Sequence, residues 1–249
     1  MSQMSEQVSG ITALLAQRGF SVENRMGRTV WKGAFGGRTC QVDLSRVSRT
    51  KYYGEIRTRR TLGFKLDVKL ALAASVRHYF VRSATAGNGL LSGIYRFQKK
   101  TTLAGPPALG HFSVVTQNEE WSSRFLATDE AVRAAAQLIG VQREDERTAS
   151  VYFGPDEGGG WLYYASPTLQ PEELAPQAVL DVLERAEQLA RAADRVGLPA
   201  EAAKPSRLER FSKERPFVAA IGLLGCLALP FIGLGLVLSA VLIAVAVFL

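Results

Sequence analysis

Histidine and cysteine are scarce in this sequence. Two histidines, His78 and His111, and two cysteines, Cys40 and Cys226, are scattered over 249 residues. None stands at ligand spacing from another, so no metal centre is expected and no cofactor is implied. No disulfide framework is expected either. Cys40 with a distant histidine is the one nucleophile pair on offer, and a free cysteine in an apolar strand reads instead as a small buried residue. His78, within His78-Tyr-Phe-Val-Arg82, reads as a hydrogen-bonded structural residue. The adjacent carboxylates Glu119-Glu120 and Asp156-Glu157 are poor candidates for a shared acid–base site, because neighbours on a strand point to opposite faces, and both pairs read as solvated loops. Gly87-Asn-Gly-Leu-Leu-Ser-Gly93 lacks the glycine spacing and the Lys-Ser/Thr of a phosphate loop. With no catalytic residue assigned, the chain reads as a binding protein rather than an enzyme.

Charge is missing altogether from Pro216 to Leu249. A helix of 34 such residues would be about 51 Å long, well over the roughly 30 Å of a bilayer's hydrocarbon core. Pro230, Gly233 and Gly235 near its middle therefore read as a kink or a turn, and a single kinked span is favoured over a hairpin. Lys204, Arg207, Arg210, Lys213 and Arg215 crowd the N-terminal flank, which the positive-inside rule assigns to the cytoplasm. Gly235/Ser239 and Ala240/Ala244 have the small-xxx-small spacing that packs helices, allowing a homo-oligomer through this segment. The N-terminus lacks the basic start and apolar stretch of a signal peptide. The sequence thus predicts a tail-anchored membrane protein, of a bacterial inner membrane, with a cytoplasmic soluble domain.

What charge there is segregates. Residues 18–100 carry 18 basic and 4 acidic side chains, whereas 101–203 carry 7 basic and 16 acidic. A basic half points to a polyanionic neighbour, or else to a solvated face. Lys51-Tyr-Tyr-Gly-Glu-Ile-Arg-Thr-Arg-Arg60 interleaves aromatics with cations. Read as a single strand it puts Tyr53, Arg57 and Arg59 on one face, with Lys65 and Lys69 on the polar face of the next strand. Lys51, Arg57, Arg59, Arg60, Lys65 and Lys69 are the expected contacts to anionic lipid, at about 1 kcal/mol per basic group near the surface. Single-stranded nucleic acid, which also takes aromatic and basic side chains, is the less favoured partner.

Periodicity supplies the elements. A short amphipathic helix spans about Met4 to Gln17. Thr29–Lys32 and Thr39–Leu44 flank a Gly33–Gly37 hairpin loop. Phe64, Leu66, Val68 and Leu70 alternate with Lys65, Asp67 and Lys69 as in a half-buried strand, with His78–Arg82 as its expected return partner. Strands follow at His111–Val115, Ser150–Phe153 and Trp161–Tyr164, the last two around a Gly154–Gly160 loop. Helices are expected from Thr128 to Gly140 and from near Pro171 to Gly197. The predicted fold is α+β: a mainly antiparallel sheet with helices packed on one side, plus a C-terminal transmembrane segment. The expected division is 1–196 for the soluble domain, 197–215 for a linker and basic juxtamembrane segment, and 216–249 for the membrane segment.

The stretches His111-Phe-Ser-Val-Val-Thr-Gln-Asn118 and Phe125-Leu-Ala-Thr-Asp-Glu130 resemble a group of uncharacterised bacterial membrane-associated α+β proteins, which share an F-x-V-x-[ST] strand, a helix, a β-hairpin and a closing helix. The chain departs from that group at Leu109-Gly-His, where Phe-Asp is usual. The resemblance implies a topology and no activity. The expected function is a membrane-anchored cytosolic binding or scaffold module; a bilayer-associated enzyme without a recognisable motif and a membrane-tethered nucleic-acid binder are the alternatives.

Overall fold

A computed structural model describes residues 3–25, 27–53, 56–83, 100–141, 147–156 and 159–204; for 51–53 and 56–59 only the backbone pairing is described. The strands are β1 (Ser21–Arg25), β2 (Arg28–Phe35), β3 (Arg38–Tyr53), β4 (Ile56–Leu72), β5 (His78–Arg82), β6 (Thr101–Leu103), β7 (Phe112–Thr116), β8 (Ser150–Asp156) and β9 (Gly159–Ala165). All pair antiparallel in one sheet, in the order β1-β2-β3-β4-β9-β8-β5-β7-β6. The helices are α1 (Gln3–Ala16), α2 (Glu119–Leu126), α3 (Asp129–Ile139) and α4 (Pro176–Arg195). The α+β class with a large antiparallel sheet is thus as expected.

Alternation decides which face of the sheet the helices cover. Trp31, Val42, Val68, Tyr164 and Val151 stand opposite one another on successive strands and are all buried. So are Cys40, Leu70, Leu162, Phe153 and His78 in the next row. Trp31 Nε1–H donates to Thr12 Oγ1 of α1 at 3.1 Å, and Phe153 meets Phe125 of α2 edge-on at 5.5 Å. α3 and α4 pack on each other over β8, β4 and β9. Thr128 precedes α3 and left-handed Gly140 ends it, although the Thr128 hydroxyl donates back to Arg124 O rather than capping.

Several expectations are corrected. β5 is not the return partner of the Phe64–Leu70 strand: β4 pairs with β9, and β5 lies between β8 and β7. Alternation marks faces and is blind to partners. Glu119 and Glu120 open α2, where acidic groups suit a helix start, and are not loop residues. Asp156 still belongs to β8 and is ion-paired. Pro171–Glu173 is a separate 3-10 turn, and α4 starts at Pro176, where a proline costs no intrahelical bond.

The transmembrane and tail-anchored expectations are also corrected. Among the described residues no helix is long and apolar enough to cross a membrane. The 20-residue α4 carries Asp181, Glu184, Arg185, Glu187, Arg191, Asp194 and Arg195, a charge load no lipid-facing helix sustains. Residues 216–249, with Pro230, Gly233 and Gly235, lie outside the described residues, as do Arg207, Arg210, Lys213 and Arg215. The compact unit extends to Lys204. Residues 197–204, expected as linker, are tied to it: Trp121 Nε1–H donates to Gly197 O (2.8 Å), Asn118 Nδ2–H to Glu201 O (2.9 Å) and Ser75 Oγ–H to Ala203 O (2.7 Å).

Candidate binding surfaces

The basic segment does not form one strand. β3 ends at Tyr53 and β4 begins at Ile56, so Lys51 and Tyr53 stand on one strand while Arg57, Arg59 and Arg60 stand on the next. β2 covers β3 only to Ser45, and β9 covers β4 only down to Asp67. From Ser48 and Thr61 outward the two strands pair with each other alone among the described strands. They form a two-stranded ribbon beyond the sheet.

A bulge marks its root. Val47 pairs with Gly63 and Ser48 with Thr61, leaving Leu62 as the extra residue. Gly63 has φ +150°, and a Cβ there would lie 2.5 Å from Leu169 O, so both the backbone twist and the close approach require glycine. The bulge breaks the period-two register that would join Arg57 and Arg59 to the face of Lys65 and Lys69. Those expected contacts therefore do not make one continuous surface.

The ribbon's charge is uncompensated where side chains are described. Arg46, Arg49 and Arg60 are exposed and have no carboxylate partner among the described residues. Arg49 pairs in register with Arg60, and Arg59 stands opposite Thr50. Several cations elsewhere are paired. Arg28 meets Asp43 (2.9 Å), Lys32 meets Glu23 (3.3 Å), Arg38 meets Asp194 (2.6 Å) and Arg147 meets Glu173 (2.9 Å). Lys69, an expected lipid contact, is committed to Asp156 at 2.9 Å and sits 3.9 Å above the Trp161 ring. Lys65 is exposed beside Asp67, whose carboxyl is pushed up by burial and by the Asp43 charge. Lys204 is exposed, its carbonyl accepting from Arg77.

The sheet face away from the helices carries a feature that the periodicity did not disclose. Ser21, Lys32, Gln41, Lys69, Tyr163, Tyr152, Tyr79, Val115 and Thr102 form one row of register partners across all nine strands. Tyr79 and Tyr152 stack at 5.4 Å, and Tyr152 and Tyr163 at 4.7 Å with rings only 10° apart. These separations match the spacing of neighbouring strands, so the rings stand like books on a shelf. Lysines stand over the ends, with Lys100 Nζ 4.8 Å from the Tyr79 centroid and Lys69 Nζ 5.4 Å from that of Tyr163. A base-stacking platform offers open ring faces. Here the faces are spent on one another and on the two ammonium groups.

Neither His78 nor Cys40 is set up as a nucleophile or its base. His78 is fully buried and ringed by Phe80, Trp121, Phe125 and Phe153 at centroid distances of 4.7–5.7 Å. Ser122 Oγ–H donates to Thr116 Oγ1 (2.8 Å), and Thr116 Oγ1–H donates to Arg77 O (2.7 Å). The Ser122 proton is thus directed away from His78, which must donate its Nδ1–H to Ser122 Oγ (2.8 Å). Nε2 is left bare among the rings, and burial pushes the imidazole pKa down to about 3. This is the reverse of a Ser–His nucleophile, in which serine donates to histidine. Cys40 is buried, its thiol pushed up to about 12 by desolvation, and no thiolate forms at neutral pH. No cluster of three or more His, Cys, Asp or Glu among the described residues could hold a metal.

No protein family matches the chain, and no curated protein matches it. Among solved structures, the crystal structure of the mycobacterial trehalose monomycolate transport factor A, TtfA, is similar with a TM-score of 0.46 and 14% identity, covering 78% of this chain and 98% of that one. A likeness at that level carries no argument about activity.

Proposed function

We propose that this chain is a binding or scaffold module that meets an anionic lipid surface through the β3–β4 ribbon. The observation that carries the reading is the contrast in ion pairing. Arg28, Lys32, Arg38 and Lys69 on the body of the sheet are ion-paired with carboxylates, whereas Arg49 and Arg60 on the ribbon, and Arg46 at its root, are exposed with no carboxylate partner among the described residues. Uncompensated basic groups near an anionic leaflet contribute about 1 kcal/mol each. The sequence of the tip, Tyr52-Tyr53-Gly54-Glu55-Ile56, adds aromatic and aliphatic residues of the kind that settle at the headgroup level. On this reading the module works in the cytoplasm, at the inner leaflet. The spent ring faces of the tyrosine row weigh against single-stranded nucleic acid, and the orientation of His78 and the protonated Cys40 weigh against an enzyme.

Vesicle flotation tests the reading. Full-length protein is expected to float with vesicles containing phosphatidylglycerol much more than with phosphatidylcholine alone, and the difference should shrink as salt rises from 0.1 to 1 M and the Debye length falls from about 10 to about 3 Å. Arg49→Glu/Arg60→Glu should remove most of the lipid selectivity. Equal flotation with both vesicle types, or displacement by a single-stranded oligonucleotide that itself binds more tightly, would sink it.

A further inference from the structure

Between α3 and α4 runs a groove of about 640 Å³, within the range of small-molecule sites. Its floor is apolar, formed by Ile139, Ala149 and the ring of Tyr164, with Ala136 and Val182 as walls. Its rim holds two arginines on facing helices, Arg133 from α3 and Arg185 from α4. Ala136 and Gln137, three and four residues past Arg133, lie on the same helical face, and Val182 lies one turn before Arg185. The two walls and the two charges are therefore presented together.

The arginines are the telling part. Other cations of α4 have carboxylate partners, Arg191 with Glu187 and Arg195 with Glu130. Among the described residues, Arg133 makes one backbone contact, its Nε–H reaching Asp129 O at 3.4 Å, and Arg185 has no hydrogen bond or ion pair. Two guanidinium groups without counter-ions over an apolar slot suit a ligand with an apolar body and a single anionic head, since planar forked donors match a carboxylate or phosphate.

We propose that this groove binds a single-chain amphiphile bearing an anionic head, with the chain against Ile139, Ala149 and Val182 and the head between Arg133 and Arg185. The site is separate from the ribbon and does not depend on the lipid-surface reading.

Isothermal titration of the full chain with dodecanoate, held below its micelle concentration, tests the proposal. Saturable binding at about one equivalent is expected. Dodecanol, which keeps the chain, should bind at least about tenfold more weakly, the scale of one lost charge-assisted contact. Butyrate, which keeps the charge, should also lose at least about tenfold through the methylenes it no longer buries. Arg133→Gln/Arg185→Gln should weaken dodecanoate at least about tenfold with an unchanged circular dichroism spectrum. Ala136→Trp, which fills the slot from a half-buried wall, should abolish binding. Arg49→Glu/Arg60→Glu should leave it intact, which separates this site from the ribbon. Absence of binding to the unmodified protein, equal affinity for dodecanol, or full affinity in the double arginine variant would each overturn the assignment.

Discussion

Arg49 and Arg60 are cross-strand partners on the β3–β4 ribbon, two like charges held in direct register with no carboxylate partner among the described residues. Like charges so placed destabilise a strand pair, and opposite charges add about 0.2–1 kcal/mol. Arg60→Glu should therefore raise the urea midpoint slightly while lowering vesicle binding. If stability falls along with binding, the ribbon arginines are structural and not held for a partner.

His78 makes the fold sensitive to acid. Its folded pKa, near 3, lies below the ordinary imidazole value of 6.5, so the unfolded chain takes up a proton first. Stability from this residue is complete above about pH 6.5 and drains away as pH falls toward 3, with a limiting slope of about 1.4 kcal/mol per pH unit. His78→Gln, which keeps a donor for Ser122, should be less stable at pH 7.5 yet show a shallower decline between pH 6.5 and 4. Parallel curves for the two proteins would mean that other groups drive the acid transition.

Gly160 admits no side chain. A Cβ there would lie 1.9 Å from Ala74 O and 2.7 Å from its carbonyl carbon, both backbone atoms that cannot step aside alone. Gly160→Ala should cost more than about 2 kcal/mol in urea unfolding, among the larger effects of a single substitution. Gly37→Ala meets nothing within 4 Å and pays only for its φ of +78°, about 1–2 kcal/mol. A reversed order of the two costs would refute the close approach of residues 73–75 to β9.

The tyrosine row should couple only between neighbours. A double-mutant cycle on Tyr79→Leu and Tyr152→Leu is expected to yield about 1 kcal/mol of interaction, the scale of an aromatic pair. Tyr79 with Tyr163, separated by Tyr152, should yield close to nothing. Equal coupling for both pairs would show that the rings respond as one repacked cluster instead of a stack.

Much of the fold was legible because burial imposes period. Phe64, Leu66, Val68 and Leu70 announce one buried strand face, and the face emerges as read. Strand partners were not legible, since Leu70 finds Leu162 across 92 residues and nothing local encodes that choice. The split of the basic segment had a local signal in Gly54, the only glycine between Lys51 and Arg60. Gly63, inside an otherwise regular strand pattern, likewise flagged the bulge. α2 was missed because Glu119 and Glu120 were read as a loop pair, although Asn118 before them is of a type favoured at a helix start and acidic residues suit the first turn. The groove could not be read at all: Arg133 and Arg185 are ordinary solvent-side helix residues until α3 and α4 are laid side by side.

The pairing of β4 with β9 has a consequence for synthesis. β1 to β4 form a meander of nearest neighbours that emerges from the ribosome as a unit, but the strand that covers the free side of β4 is made some 90 residues later. Through that interval Leu66, Val68 and Leu70 would lie along an unprotected edge, the geometry that invites pairing with a second nascent chain. At translation speeds of about 5–20 residues per second the exposure lasts about 5–20 s. Lys65, Asp67 and Lys69, interleaved along that edge, put charge wherever an intruding strand would have to lie flat.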